Sequence, residues 1–150
     1  MLPPCLMAID PGGMTGIATL TYSSDFHAGE WSFQAACDRI FGHCQRYGPG
    51  MAILWERYKI DVRRPQTNAN QAIEVIGVAR YLATSFHCHI LPAPDPGDRN
   101  TATPAILRAM GWWLPGKDDA QSAAQHLCAY LMRAGALPPR EQAILATVTG

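Results

Sequence analysis

Between Phe33 and Tyr47 the hydrophobic period of this chain changes, and that change limits the folds open to it. Before Phe33, apolar residues come in short runs broken by turn residues. Cys5 to Ile9 is closed by Asp10-Pro11-Gly12-Gly13, Thr15 to Tyr22 follows, and Asp25 to Phe33 alternates. Such runs read as three strands, and the tight connections between them predict an antiparallel meander. From Phe33 onward, Phe33, Ala36, Cys37, Ile40, Phe41 and Cys44 lie on one face of a helix. Gly48-Pro49-Gly50 ends that helix, and Met51 to Trp55 is again an apolar run. A strand that returns after a helix lies parallel to the strand it joins. The sheet must therefore be mixed.

The remainder of the chain continues the alternation. Thr67 to Thr84 reads as a second amphipathic helix and His87 to Leu91 as a fifth strand. Pro92 to Asn100 is a proline-rich loop, and Thr103-Pro104 starts a short helix that runs to Met110. Asp118 to Ala134 is the last clear helix, with Gly135 as its cap, and the tail from Pro138 has no assigned structure. The order β-β-β-α-β-α-β-α-α predicts an α/β fold, a five-stranded mixed sheet with helices on both faces. At 150 residues the expectation is a single domain, and 48% hydrophobic content with zero net charge excludes disorder.

No apolar stretch is long enough to span a membrane, and the N-terminus lacks the pattern of a secretory signal. The expectation is a cytoplasmic protein with no membrane partner. Cys5, Cys37, Cys44, Cys88 and Cys128 are odd in number and form no CxxC pair, and most of them read as small core residues. His87-Cys88-His89 reads as a strand or loop edge, because no second ligand pair follows at zinc spacing.

Acidic residues number only 12, so their positions carry information. Leu6, Ala8 and Asp10 share one face of the first strand, and Asp10 ends it. Glu56 ends the fourth strand in the same way, after Ala52 and Leu54. Parallel neighbours about 4.8 Å apart would set the two carboxylates side by side. Like charges that close raise a pKa unless a cation intervenes, and Mg²⁺ favours one or two carboxylates plus water and phosphate. Asp118 and Asp119 open the last helix as a third source of carboxylate. Each residue also has a plainer reading. Asp10 suits a turn before Pro-Gly, Glu56 suits a strand end beside a base, and Asp118 or Asp119 suits an N-cap or a first-turn acid that favours the helix dipole. Gly12, Gly13 and Gly16 permit a hairpin whose backbone can approach a phosphate.

The basic residues are unevenly spread. Arg57, Lys59, Arg63 and Arg64 follow Glu56 with only Asp61 among them. Zero net charge excludes a protein that binds nucleic acid through bulk basicity. This segment is either a solvated loop or a local track for phosphates. Tyr58 is either a half-buried tyrosine or a stacking platform for a base.

Taken together, these motifs resemble the RuvC-like Holliday-junction resolvases of the ribonuclease H-like fold, most closely the bacteriophage-encoded type. The resemblance rests on Ala8-Ile9-Asp10-Pro11-Gly12, Thr15-Gly16, Trp55-Glu56-Arg57, Gln71 to Gly77, Gly111-Trp112 and Ala123 to Leu127, and covers residues 7 to about 135. It implies a homodimeric, structure-selective endonuclease that cuts four-way and other branched DNA with two Mg²⁺ or Mn²⁺ ions per site. It further implies that Asp10, Glu56 and Asp119 are metal ligands, with Asp10 between the ions. Gly12, Gly13, Arg57, Tyr58, Lys59, Arg63 and Arg64 would meet DNA, and the helix around Gly77 would form the dimer surface. The family's fourth acidic position falls on Ser122, and a lysine common after the Asp-Pro-Gly of phage relatives is Gly13 here. Either Asp118 or His126 compensates for Ser122, or the second ion binds weakly, or the protein binds junctions without cutting them. Two rivals are a non-cutting junction binder and an actin-like phosphotransferase. The second needs a further pair of subdomains that 150 residues do not supply.

Overall fold

The computed structural model describes residues 3–12, 14–21, 25–57 and 69–149. Strand β1 (Cys5–Pro11) pairs antiparallel with β2 (Thr15–Thr21), and β2 pairs antiparallel with β3 (Phe26–Trp31). The meander expected from the short runs is present. Helix α1 (Phe33–Tyr47) carries the chain back to β4 (Met51–Trp55), which joins β1 in parallel, as the change of period requires. Helix α2 (Ala69–Ser85) leads to β5 (His89–Ile90), parallel to β4. The sheet order is β3-β2-β1-β4-β5. Helices α3 (Pro104–Met110), α4 (Asp118–Arg133) and α5 (Pro139–Thr149) complete the chain.

Period-two alternation divides the core into two layers. Leu6, Ala8, Ala18, Leu20, Ala52 and Leu54 face α3 and α4, where Leu107, Ala124, Leu127 and Leu131 are buried. Cys5, Met7, Ile9, Ile17, Ile53 and Trp55 face α1 and α2, where Ala36, Ile40, Val75 and Ala79 are buried. Helices thus cover both faces of the mixed sheet. Because Asp10 continues the Leu6–Ala8 row, it belongs to the α4 side.

Two expectations need correction, and the tail left open above takes a structure. The fifth strand is only His89–Ile90, both exposed, because the chain turns away into Leu91-Pro92 after pairing with Ala52 and Ile53. The loop from Pro92 contains a 3₁₀ turn, Pro96–Thr101, closed by reciprocal side-chain capping between Asp95 and Asp98. The tail from Pro138 is helical, because Pro139 suits a first helical position and Ile144 and Leu145 pack on the α4 core. The end of α4 follows the reading. Gly135 is left-handed, and the Gly135 and Ala136 amides donate to Met132 and Leu131 carbonyls in a Schellman cap. Trp112 is a core residue stacked on Phe26 at 4.6 Å, whereas Trp113 is half-buried beneath Arg108. The five cysteines are free, and among the described residues no helix is long and apolar enough to cross a membrane.

Candidate active site

The acidic residues meet where β1 and β4 end. Ile9 is registered with Trp55, so the next residues, Asp10 and Glu56, leave the parallel pair together. Asp10 is registered with Gly16, and Gly16 with Glu30 on β3. One row across the sheet therefore carries Asp10, a glycine and Glu30. The first turn of α4 settles on that glycine. A Cβ on Gly16 would collide with the Asp119 carbonyl and stand 2.8 Å from the Ala120 nitrogen. A Cβ on Gly12 would collide with the Asp119 carboxylate, with 2.7 Å to its Cγ. Both glycines are needed for close approach, and together they hold Asp119 against the hairpin that carries Asp10.

Glu30 explains how α4 can begin here. Its Oε1 accepts from the Asp119 amide at 2.9 Å and the Ala120 amide at 3.3 Å. It satisfies amides that have no partner within the helix and places negative charge at the positive end of the dipole. Asp118 and Asp119 are first-turn residues, not caps, and Lys117 occupies the N-cap without a side-chain bond. Glu30 is a site residue that the sequence reading missed.

Glu56 is held from behind. His126, buried on α4, places Nε2 2.8 Å from Glu56 Oε2. His126 Nδ1 is buried without a partner. The arrangement suits the Nε2–H tautomer donating to the carboxylate, since a proton on Nδ1 would be stranded. His126 thus orients Glu56 through the ring nitrogen that faces it.

Ser122, at the fourth position, is also engaged. Its hydroxyl stands beside the Asp10 carboxylate and favours its ionised form, and Arg99 Nη1 donates to Ser122 Oγ at 2.7 Å. The same nitrogen lies 3.9 Å from Glu56 Oε2. Arg99, in the proline-rich loop, is the second site residue the sequence did not reveal. Asp10, Arg99, Asp118, Asp119 and Ser122 line an open cleft of about 390 Å³.

The acids strain each other. Burial pushes the Asp10 carboxyl up to about 6, against the Ser122 hydrogen bond, while Asp119 and Glu56 add repulsion and His126 opposes it. Asp119 is raised by burial first and then by Glu30, with Asp118 contributing less. A folded-state value above the unfolded one means that ionising Asp10 costs stability. The cost is absent below about pH 4, grows to about pH 6, and persists above. Asp10→Asn is expected to stabilise the protein in chelator at pH 8 by on the order of 1–3 kcal/mol, and to add nothing at pH 4. Urea unfolding at the two pH values measures this. Equal effects at both would remove the electrostatic explanation.

Arg57 is exposed beside this site, with its amide bonded to the Pro94 carbonyl at 2.9 Å and its Nε 3.9 Å from Asp95. Gly13, Tyr58, Lys59, Arg63 and Arg64 lie outside the described residues. Among the described residues, no three His, Cys, Asp or Glu side chains are gathered closely enough to enclose a metal ion. The donor set of Asp10 and Asp119, completed by water and a phosphate, fits one Mg²⁺ ion. Beside Ser122, where the resemblance implies a fourth acid, stands the guanidinium of Arg99.

Neither a protein-family model nor a curated protein matches the sequence. Solved structures do match. Thermus thermophilus RuvC in complex with Holliday junction substrate shares 15% identity over 88% of this chain and 96% of that one, with a TM-score of 0.63. A second Thermus thermophilus RuvC structure shares 16% identity over 88% and 97%, with a TM-score of 0.56. The chain has the RuvC-like, ribonuclease H-like fold over most of its length.

Proposed function

We propose that this protein is a structure-selective DNA endonuclease that resolves four-way junctions and other branched DNA by metal-assisted hydrolysis. The observation that carries the reading is the convergence of Asp10, Glu56 and Asp119 at the carboxyl ends of β1 and β4, beside an open cleft, in this fold. Carboxylates that repel one another in a half-buried cleft suit a hard cation and a phosphodiester better than a neutral substrate.

Asp10 and Asp119 would hold Mg²⁺ or Mn²⁺, with Glu56 beside them. When bound, the ion activates a water and draws charge from the phosphate. The chain's own residues do the rest. His126 fixes the Glu56 carboxylate, Ser122 fixes that of Asp10, and Gly12 leaves space for Asp119. Gly12 and Gly13 would meet the DNA, Arg57, Lys59, Arg63 and Arg64 would contact its phosphates, and Tyr58 would stack on an unpaired base. Action in the cytoplasm suits this reading.

Symmetric nicks need two sites, and we propose that α2 forms a homodimer surface. Ile73, Gly77 and Tyr81 make one exposed stripe at helical spacing, and a Cβ on Gly77 would meet no atom.

The second reading, a junction binder with weak or lost cleavage, is favoured by one observation. Ser122 stands at the fourth acidic position and bonds to Arg99. A labelled four-way junction and a matched duplex, incubated with Mg²⁺, Mn²⁺ or chelator, separate the two. Paired nicks in the junction alone, lost in chelator, are expected. Tight binding without nicks in either metal would establish the second reading, and indifference to the junction would sink both.

A further inference from the structure

We infer that Arg99 takes the place of one of the two metal ions, so that the site holds a single divalent cation. The inference rests on the metal-assisted reading above and deepens it.

The charges balance. An aspartate at the fourth position with a divalent ion carries one net positive charge. Ser122 with Arg99 carries the same charge without a metal. The geometry agrees with the exchange. Arg99 Nη1 donates to Ser122 Oγ at 2.7 Å and stands 3.9 Å from Glu56 Oε2. The Ser122 hydroxyl, accepting from Arg99, is free to donate its proton to Asp10. Ser122, Arg99 and Glu56 thus form one group centred on a fixed cation, with Asp10 beside it. Asp119 lies on the other side, with Glu30 and Asp118 as its charged neighbours. Asp10 and Asp119 would hold the single ion.

Arg99 is held in place. The turn Pro96–Thr101 is closed by the Asp95–Asp98 capping pair. It is tied to α4 by Gln125 donating to the Ala102 carbonyl at 3.2 Å and by Arg133 standing 3.7 Å from Asp98. A guanidinium so fixed keeps donors for a phosphate oxygen and needs no reorganisation when DNA arrives.

Mn²⁺ binding, counted by electron paramagnetic resonance without DNA, tests the inference through four proteins. Wild type is expected to bind one ion per chain. Ser122→Asp alone is also expected to bind one, since the new carboxylate pairs with Arg99. Arg99→Gln should bind one ion about tenfold more tightly, because a nearby positive charge is gone. The two changes together should bind two. A residue that merely supported the fold would weaken binding when removed, opposite to the sign expected here. Circular dichroism melts establish that each variant is folded, and Arg99→Lys should keep the wild-type count and affinity. Two ions or none in wild type, weaker or unchanged binding in Arg99→Gln, or one ion in the double variant would each overturn the inference. The count is independent of the junction assay. A protein that binds one ion but never nicks DNA would overturn the proposed function and leave Arg99 its role.

Discussion

Asp10→Asn is expected to lower junction nicking about a thousandfold or more while junction binding survives, because lost metal charge stabilisation is worth several kcal/mol. The structure supplies the reason that binding should survive. Asp10 sits at the end of a buried strand, and an amide fills the same space. Removing a charge from a cleft lined by Asp118 and Asp119, with Glu56 as a further charged neighbour, also reduces repulsion of the DNA backbone. Binding at low Mg²⁺ should therefore tighten slightly as nicking disappears. Glu56→Gln differs in kind. The glutamine carbonyl still accepts from His126, so the side chain keeps its direction and loses its charge. Its nicking should fall severely and less than in Asp10→Asn. Gel-shift and single-turnover nicking assays on one labelled junction measure both quantities. If Asp10→Asn nicks at the wild-type rate, Asp10 is no metal ligand and the proposed chemistry fails.

Much of this site is legible in the sequence because β1 and β4 are short and uniform. Each has one acid, at its end, after an apolar alternation. The helix between them forces a parallel pair, and parallel pairing brings the ends together. Asp119 followed only from the resemblance, since the residues alone left Asp118 and Asp119 open at the start of α4. Glu30 was not reachable. Its place depends on Gly16 facing it across β2 and β3, and a shift of one residue would turn it to the other face. Arg99 was still less accessible. Its loop reads as proline-rich coil, and its direction comes from contacts with Gln125 and Arg133, a helix further along the chain. His126 stood in the sequence as a substitute for the missing acid. Its burial against Glu56 makes it a positioning group, a distinction that only packing draws. The last helix was missed although Pro139 and Glu141 are good first-turn residues, because its apolar face is too short for periodicity to stand out.

Gly16→Ala is expected to be the most damaging glycine-to-alanine change among the described residues, lowering stability by on the order of 3 kcal/mol and Tm by roughly 6–12 °C. The obstacle is backbone. The new Cβ would occupy the position of the Asp119 carbonyl, with the Ala120 nitrogen 2.8 Å away, and neither can rotate aside. To accept it, the whole first turn of α4 must lift from β2. That movement breaks the bonds from the Asp119 and Ala120 amides to Glu30, at 2.9 and 3.3 Å, and opens the layer that buries Ala18, Ala123 and Ala124. Gly12→Ala is the control. There the clash falls on the Asp119 carboxylate, a side chain that can swing away. Gly12→Ala should therefore keep nearly the wild-type melting temperature while losing Mn²⁺ binding and nicking. Urea unfolding and Mn²⁺ counts on both proteins would separate the two glycines. A Gly16→Ala protein as stable as wild type would mean that α4 does not sit on β2 as closely as the structure has it, and the position of Asp119 beside Asp10 would fall with it.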